Sequence, residues 1–246
     1  MDVQPTMKEA RLKYDTDNPF ISSQQVSIDW IYRYEPVLDF LLENQLTNSK
    51  ILDYGCGNVG LGSVFSGDYF GIDLTPITPE VPNLKPINGV HPFSLQDSFD
   101  VVCAMDVMEH VPVNLREDFF VAMRRIARRY LILAFPTDGA GYQFDVETAT
   151  FLNPSGSLPD WLLEHLAMDH PKVEFILELA GKHGFQLIRH VKNTHRLMHY
   201  LGCMGLFVGG RMKLRFMNDI HHINRLHQAE NELEMYRSIL FLEASA

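Results

Sequence analysis

"ILDYGCGNVGLG", residues 51–62, decides the fold. A short apolar run that reads as a buried strand passes into a glycine-rich turn, and Gly55, Gly57 and Gly60 spell G-x-G-x-x-G. Glycines at such a turn let the backbone bend tightly and let a ligand approach closely. The string alone is weak evidence, and the strand before it strengthens it, with a helix expected after it over "LGSVF". Asp53 stands two residues before the first glycine, inside the strand. A carboxylate beside a pyrophosphate meets like-charge repulsion, whereas beside a cationic ligand it does not. Asp73, about 20 residues further on at the end of the next strand, suits the hydroxyls of a ribose with either kind of ligand.

Working outward, the chain alternates strands and helices. "SIDWIYRYEPVLDFLLENQL" (27–46) has apolar residues at helical spacing with Pro36 in the middle, which predicts two short helices. Strands are expected at "KILDYG", "YFGIDL" (69–74), "LKPING", "FDVVCAM" (99–105), "YLILAFP" (130–136), "FQLIRHV" (185–191) and "SILFLEA". Helices are expected at 113–129 and at 173–184, the second closed by Gly184. This order predicts a parallel sheet covered on both faces. The stretches 137–172 and 192–237 exceed ordinary connections and read as insertions. The expected organisation is one domain over 1–246, with a helical lead-in at 1–46 and a cap or oligomer contact at 192–237.

Composition narrows the classes. At 246 residues, 46% hydrophobic and 21% charged, the chain reads as one globular domain. No apolar run reaches the roughly 20 residues of a bilayer span, and the first residues lack a signal peptide's apolar core. Cys56, Cys103 and Cys203 make neither a disulfide framework nor a zinc site. A reduced, cytoplasmic protein is expected. The net charge of −10 argues against a broad nucleic-acid surface. Between Glu178 and Asp219, however, lie Lys182, Arg189, Lys192, Arg196, Arg211, Lys213 and Arg215 with no acid among them. That stretch is either a solvated basic face or a patch for an anionic substrate or a membrane surface.

"ILDYGCGNVG", "YFGIDL", "FDVVCAMDVMEHVP" and "YLILAFP", in this order, resemble class I S-adenosylmethionine-dependent methyltransferases. The resemblance covers roughly 49–136 well, and "YRSILFLEA" resembles that family's last strand. It implies an α/β fold, a Rossmann-like, doubly wound, mostly parallel seven-stranded sheet with an antiparallel last strand and helical insertions. It implies S-adenosylmethionine as cofactor and S-adenosylhomocysteine as product. Asp53, Gly55, Cys56 and Gly57 would lie at the methionine portion, Asp73 at the ribose and Leu74 on the adenine. His91 would lie near the adenine edge, and Met105 near the methionine part. The third glycine falls one place later than the family's usual G-x-G-x-G, which leaves the role of Gly60 open.

Methyl transfer needs alignment and, for an oxygen acceptor, a base. His110, just past the fourth strand beside Asp106 and Glu109, is the candidate, with a structural turn as its alternative. No metal is expected: His195 and His199 are four apart, with His221, His222, His227 and Cys203 beyond, but no tight ligand pattern forms. The Met- and Phe-rich stretch at 204–217 suits packing, a substrate wall or a homodimer face. Without a (D/N)-P-P-(Y/F) string or a Pro-Cys pair, planar amino groups and cytosine C5 are disfavoured as acceptors. A small-molecule or lipid- or nucleotide-linked acceptor is expected, anionic if the basic stretch serves it, with O-methylation favoured. A silent methyltransferase-like subunit and an NAD(P)-dependent reductase are the alternatives.

Overall fold

The structure is a computed structural model that describes residues 28–91, 94–137, 139–152, 158–195, 199 and 235–245. Its sheet grows from β1 (Ile51–Tyr54), which pairs in parallel with β2 (Tyr69–Ile72) and β4 (Phe99–Met105). β3 (Leu84–Pro86) extends the sheet beyond β2, and β5 (Ala127–Pro136) beyond β4, again in parallel. β7 (Met235–Ala244) then lies antiparallel between β5 and β6 (Phe185–His195). The order is β3-β2-β1-β4-β5-β7-β6, the expected seven strands with an antiparallel last strand. Chain order reverses between β1 and β4, and such a switch point opens a crevice at the carboxyl ends of the strands.

Successive residues of a strand face opposite sides of the sheet, and this alternation divides the core in two. Ile51, Val101, Cys103, Ile132, Ile239 and Phe241 pack beneath α1 (Ile28–Glu43). Leu52, Val102, Leu131, Leu133 and Leu240 pack beneath α2 (Arg116–Ile126) and α5 (Val173–Lys182). Asp53 shares the parity of Ile51 and so points toward α1.

Three local expectations are corrected. The segment around Pro36 is one helix, not two. Proline removes a single helical hydrogen bond, and this helix is fastened along its length by buried Tyr32, Tyr34, Val37, Leu38, Phe40 and Leu41. The glycine turn leads into a 3₁₀ turn, Gly60–Ser63, rather than an α-helix. Its backbone is claimed from outside, with the Leu61 N–H bound by Asp53 and the Gly62 N–H by the Tyr69 hydroxyl. Finally, α2 stops at Ile126, because Ala127 already pairs with Phe99 in the sheet. The first insertion contains α3 (Ala140–Leu152) and α4 (Asp160–Ala167). Among the described residues no helix is long and apolar enough to cross a membrane.

Candidate active site

The glycine loop leaves β1 between α1 and the end of β2. The Gly55 N–H donates to the Ile72 carbonyl (2.7 Å) and the Gly57 N–H to Asp73 Oδ2 (2.9 Å). Gly57 has φ +56°, and a Cβ there would lie 3.2 Å from the ring of Trp30. Only glycine meets both demands readily. Trp30, stacked on Tyr34 with ring centroids 6.0 Å apart, carries α1 over the loop.

Asp53 holds this loop from behind. Its carboxylate accepts the Leu61 N–H at 2.8 Å and the Tyr34 hydroxyl at 3.1 Å, with the Cys103 thiol at 3.6 Å, and it is 0% exposed. Burial raises its pKa to about 7. Gly60 answers to the same group: its φ is +47°, and a Cβ would stand 2.3 Å from Asp53 Oδ2 and 2.8 Å from Cys56 Cβ. The displaced third glycine therefore makes room for the buried carboxylate. Cys56 is also fully buried, its thiol against Gly57 O (3.1 Å), and burial pushes its pKa up.

The other expected site residues distribute along the carboxyl edge. Asp73 is half-buried and spans the loop and the next turn, with Oδ1 3.3 Å from the Thr75 N–H. Leu74 beside it is 79% exposed, an apolar side chain standing open on that edge. His91 is exposed in the connection after β3, and Met105 is buried at the end of β4.

Beyond Met105 the chain turns sharply. Asp106 has φ +54°, an unusual value for a residue with a side chain. Its carboxylate is gripped by Arg237 from β7, with Nε on Oδ1 at 2.7 Å and Nη2 on Oδ2, and by Arg33 Nε from α1 at 3.0 Å. Arg237 is itself fully buried and donates through Nη1 to Thr194 Oγ1 at 2.9 Å. A charge-assisted, two-pronged pair of this kind fixes geometry as well as compensating charge.

The turn ends in Glu109 and His110 and meets α4. His110 Nδ1 lies 2.8 Å from Glu164 Oε2, and His110 Nε2 lies 3.4 Å from His165 Nε2. His165 Nδ1 in turn lies 2.9 Å from Asp145 Oδ2. Asp145 is buried and also receives the Tyr236 hydroxyl (3.0 Å), with His170 Nε2 at 3.4 Å and His199 Nε2 at 3.5 Å. Burial alone would raise the Asp145 pKa, but hydrogen bonds from His165 and His199 bring it down to about 2. Burial, reinforced by His165, lowers the His110 pKa. Glu109 is driven well above the carboxylate range, first by burial and then by Asp106.

A family model for the methyltransferase domain matches residues 27–190. The chain belongs to the methyltransferase-domain family. S-adenosylmethionine is therefore its cofactor, and the reductase alternative falls away. No curated protein matches the sequence. Among solved structures, magnesium protoporphyrin IX methyltransferase from Synechocystis with bound SAH is 17% identical, with a TM-score of 0.52, 86% of this chain covered and 82% of that one. The same enzyme with bound SAM gives 15%, 0.52, 94% and 86%. The methyltransferase domain of bacterial CtHen1-C gives 14%, 0.52, 89% and 100%. At these identities the likeness is one of fold.

In this methyltransferase the glycine loop, Asp73 and Met105 gather at the switch point, and His110 stands one turn past β4. Sequence reasoning passed over Trp30, Arg33, Arg237, Asp145, Glu164 and His165. The signal for two of them was the Glu-His pair in "WLLEHLAMDH" (161–170), which repeats the Glu109-His110 pair. His195 and His199 do not share a helix face: His195 closes β6 opposite Met235, and His199 stacks on Tyr236 at 3.9 Å. In the basic stretch, Lys182 pairs with Glu117 and Arg189 with Glu43. Arg196, Arg211, Lys213, Arg215, Cys203, His221, His222, His227 and the 204–217 stretch lie outside the described residues, as does the lead-in before residue 28.

Proposed function

We propose that this methyltransferase transfers the methyl group to a hydroxyl oxygen of a small-molecule or lipid- or nucleotide-linked acceptor. We place Gly55, Cys56 and Gly57 at the methionine end of the donor, with Asp53 holding their loop from behind. Met105 lies beside that end, Asp73 binds the ribose, and Leu74 and His91 flank the adenine. The observation that carries the oxygen reading is His110. It is partly open to solvent (33% of the side chain), lies at the carboxyl end of β4, and is held by the Glu164 carboxylate. A carboxylate only accepts hydrogen bonds, so the proton of His110 sits on Nδ1 and a lone pair on Nε2. That lone pair suits a hydroxylated acceptor better than an unprotonated amine, which needs no proton removed before attack.

The transfer is an in-line displacement. The acceptor oxygen forms its bond to the methyl carbon as the S–CH₃ bond breaks, sulfur keeps the electron pair, and the acceptor proton leaves on the His110 side. The exposed Leu74, the partly exposed Arg33 held at Asp106 and the polar His110 turn offer a mixed rim, which supports a small acceptor over a polynucleotide. An anionic acceptor fits the basic residues near β6 only through those beyond Lys182 and Arg189, which already have acidic partners.

Calorimetry with S-adenosylmethionine, S-adenosylhomocysteine and NADH comes first, followed by donor turnover with hydroxylated and amino acceptors. Micromolar binding of the first two alone is expected, with turnover confined to hydroxylated compounds. His110→Ala should slow turnover at least about 100-fold with donor affinity kept, the scale of a lost proton-transfer group. Turnover of amines only, or full activity in His110→Ala, would refute the oxygen reading.

A further inference from the structure

The two histidines at the end of β4 are arranged in a way that proton removal by one base does not explain. His110 and His165 each turn Nδ1 toward a carboxylate, Glu164 at 2.8 Å and Asp145 at 2.9 Å. Carboxylates accept, so both rings carry their proton on Nδ1. Their Nε2 lone pairs consequently face one another across 3.4 Å. Two lone pairs repel at that distance unless something electropositive lies between them. Against the same gap stands Glu109, whose side chain is 0% exposed and whose Oε1 is 3.9 Å from His165 Nε2. Neither oxygen of that carboxylate has a hydrogen-bond partner. A buried carboxylate without hydrogen bonds is costly and rare.

We propose that Glu109 Oε1, His110 Nε2 and His165 Nε2 form a binding site for one divalent cation of the zinc class. One ligand atom from each of the three residues lies within 4.8 Å of those of the other two. Tetrahedral zinc with bonds of about 2.05 Å has ligand edges of about 3.3 Å, close to the separation of the two Nε2 atoms. The Glu109–His165 edge, 3.9 Å, is about half an ångström wider, within the reach of a small side-chain rotation. Two imidazoles and one carboxylate leave a fourth position open, the pattern of catalytic rather than structural zinc. Glu164 and Asp145 complete it, since metal-binding histidines ordinarily donate their other nitrogen to a carboxylate that fixes ring and tautomer. Asp145, His165 and His170 form a second grouping. There Asp145 already holds Tyr236 and His199 besides the two histidines of the grouping, and His165 would have to offer the nitrogen that carries its proton.

What the cation would do rests on the oxygen-acceptor reading above. A hydroxyl in the open position would give up its proton to water more readily beside the ion's charge. The oxygen would then take the methyl group as the S–CH₃ bond breaks, with the electron pair left on sulfur. His110 and Glu109 would then hold the ion, and the proton that His110 Nε2 takes in the metal-free chain would go to water instead.

The test is binding of the metal alone. The purified chain, stripped with a chelator and dialysed, is titrated with Zn²⁺ against a chromophoric chelator and with Co²⁺ by visible absorption. One tightly held Zn²⁺ per chain and a four-coordinate Co²⁺ spectrum are expected. Glu109→Gln and His110→Ala should each weaken Zn²⁺ at least tenfold, Glu164→Gln should weaken it about 10–100-fold, and His183→Ala should leave it unchanged. His110 is partly exposed and Gln is isosteric with Glu, so these variants keep the fold, which a thermal melt verifies. No stoichiometric binding, or binding that survives both ligand substitutions, overturns the site. Donor calorimetry needs no added metal, so a failure of the methyl-donor reading is seen separately from a failure of this one.

Discussion

Replacing Gly60 with alanine tests whether the third glycine serves the buried carboxylate. The control is Gly184→Ala. Both glycines have positive φ, +47° and +75°, so each substitution incurs the left-handed penalty of about 1–2 kcal/mol. They differ in surroundings. Nothing lies within 4 Å of a Cβ at Gly184, whereas at Gly60 Asp53 Oδ2 would be 2.3 Å away and Cys56 Cβ 2.8 Å. Neither neighbour is the free end of a flexible chain, because Asp53 is tied to Leu61 and Tyr34 and Cys56 is fully buried. Overpacking of this kind adds about 1–3 kcal/mol. Urea unfolding should therefore place Gly60→Ala about 1–3 kcal/mol below Gly184→Ala at unchanged m. S-adenosylmethionine affinity should fall in the first variant and hold in the second, since the shifted loop carries the Gly57–Asp73 hydrogen bond. If the two variants lie within about 0.5 kcal/mol of each other, Gly60 does not serve Asp53 and the loop is held in some other way.

Further outcomes follow from the same geometry. Asp53 has a folded pKa of about 7 against an ordinary 3.8, so the folded state holds a proton there that the unfolded chain has lost. Its contribution is full below pH 4 and disappears as pH rises through 7, each tenfold difference in proton affinity being worth about 1.4 kcal/mol. Asp53→Asn should thus be more stable relative to the wild type at pH 8 than at pH 5, and an equal difference at both pH values would contradict this. Arg237→Met removes the two-pronged partner of Asp106 while Arg33 stays, and should cost about 3 kcal/mol in denaturant unfolding; under 1 kcal/mol would mean that Arg33 suffices. Asp73→Ala should weaken S-adenosylmethionine binding in calorimetry at least about tenfold, by about 1.4 kcal/mol, with the melt little changed; unchanged affinity would move the ribose elsewhere.

Most of the central sheet could be read from the chain because it is written in contiguous runs. "FDVVCAM" is β4 to the residue, and "ILDY" with its glycines gives β1 and the turn after it. The setting of Asp53 follows from strand parity, which turns it toward α1 and Tyr34, so its carboxylate fastens the loop rather than facing outward. The helix through Pro36 and the missing helix after Gly60 were illegible for one reason: partners far along the chain outweighed local preference. The charged half of the site lies further from view. Asp106 meets Arg237 across 131 residues, and His110 meets His165 across 55, only because β7 enters the sheet and α4 packs against the β4 turn. No spacing rule within a single segment contains such pairs.

The position of β7 has a consequence for how the molecule assembles. β6 touches the rest of the sheet through β7, which takes its place between β5 and β6. β1 to β5 can pair in parallel as they are made, but the outer edge of β5 stays open until β7 arrives. That edge carries "YLILAF", an apolar strand that would invite pairing with other chains while it waits. β7 also delivers Arg237 to Asp106 and Tyr236 to Asp145. Closing the sheet and completing the polar side of the crevice are therefore one event, and a chain caught before it would be both sticky and inactive.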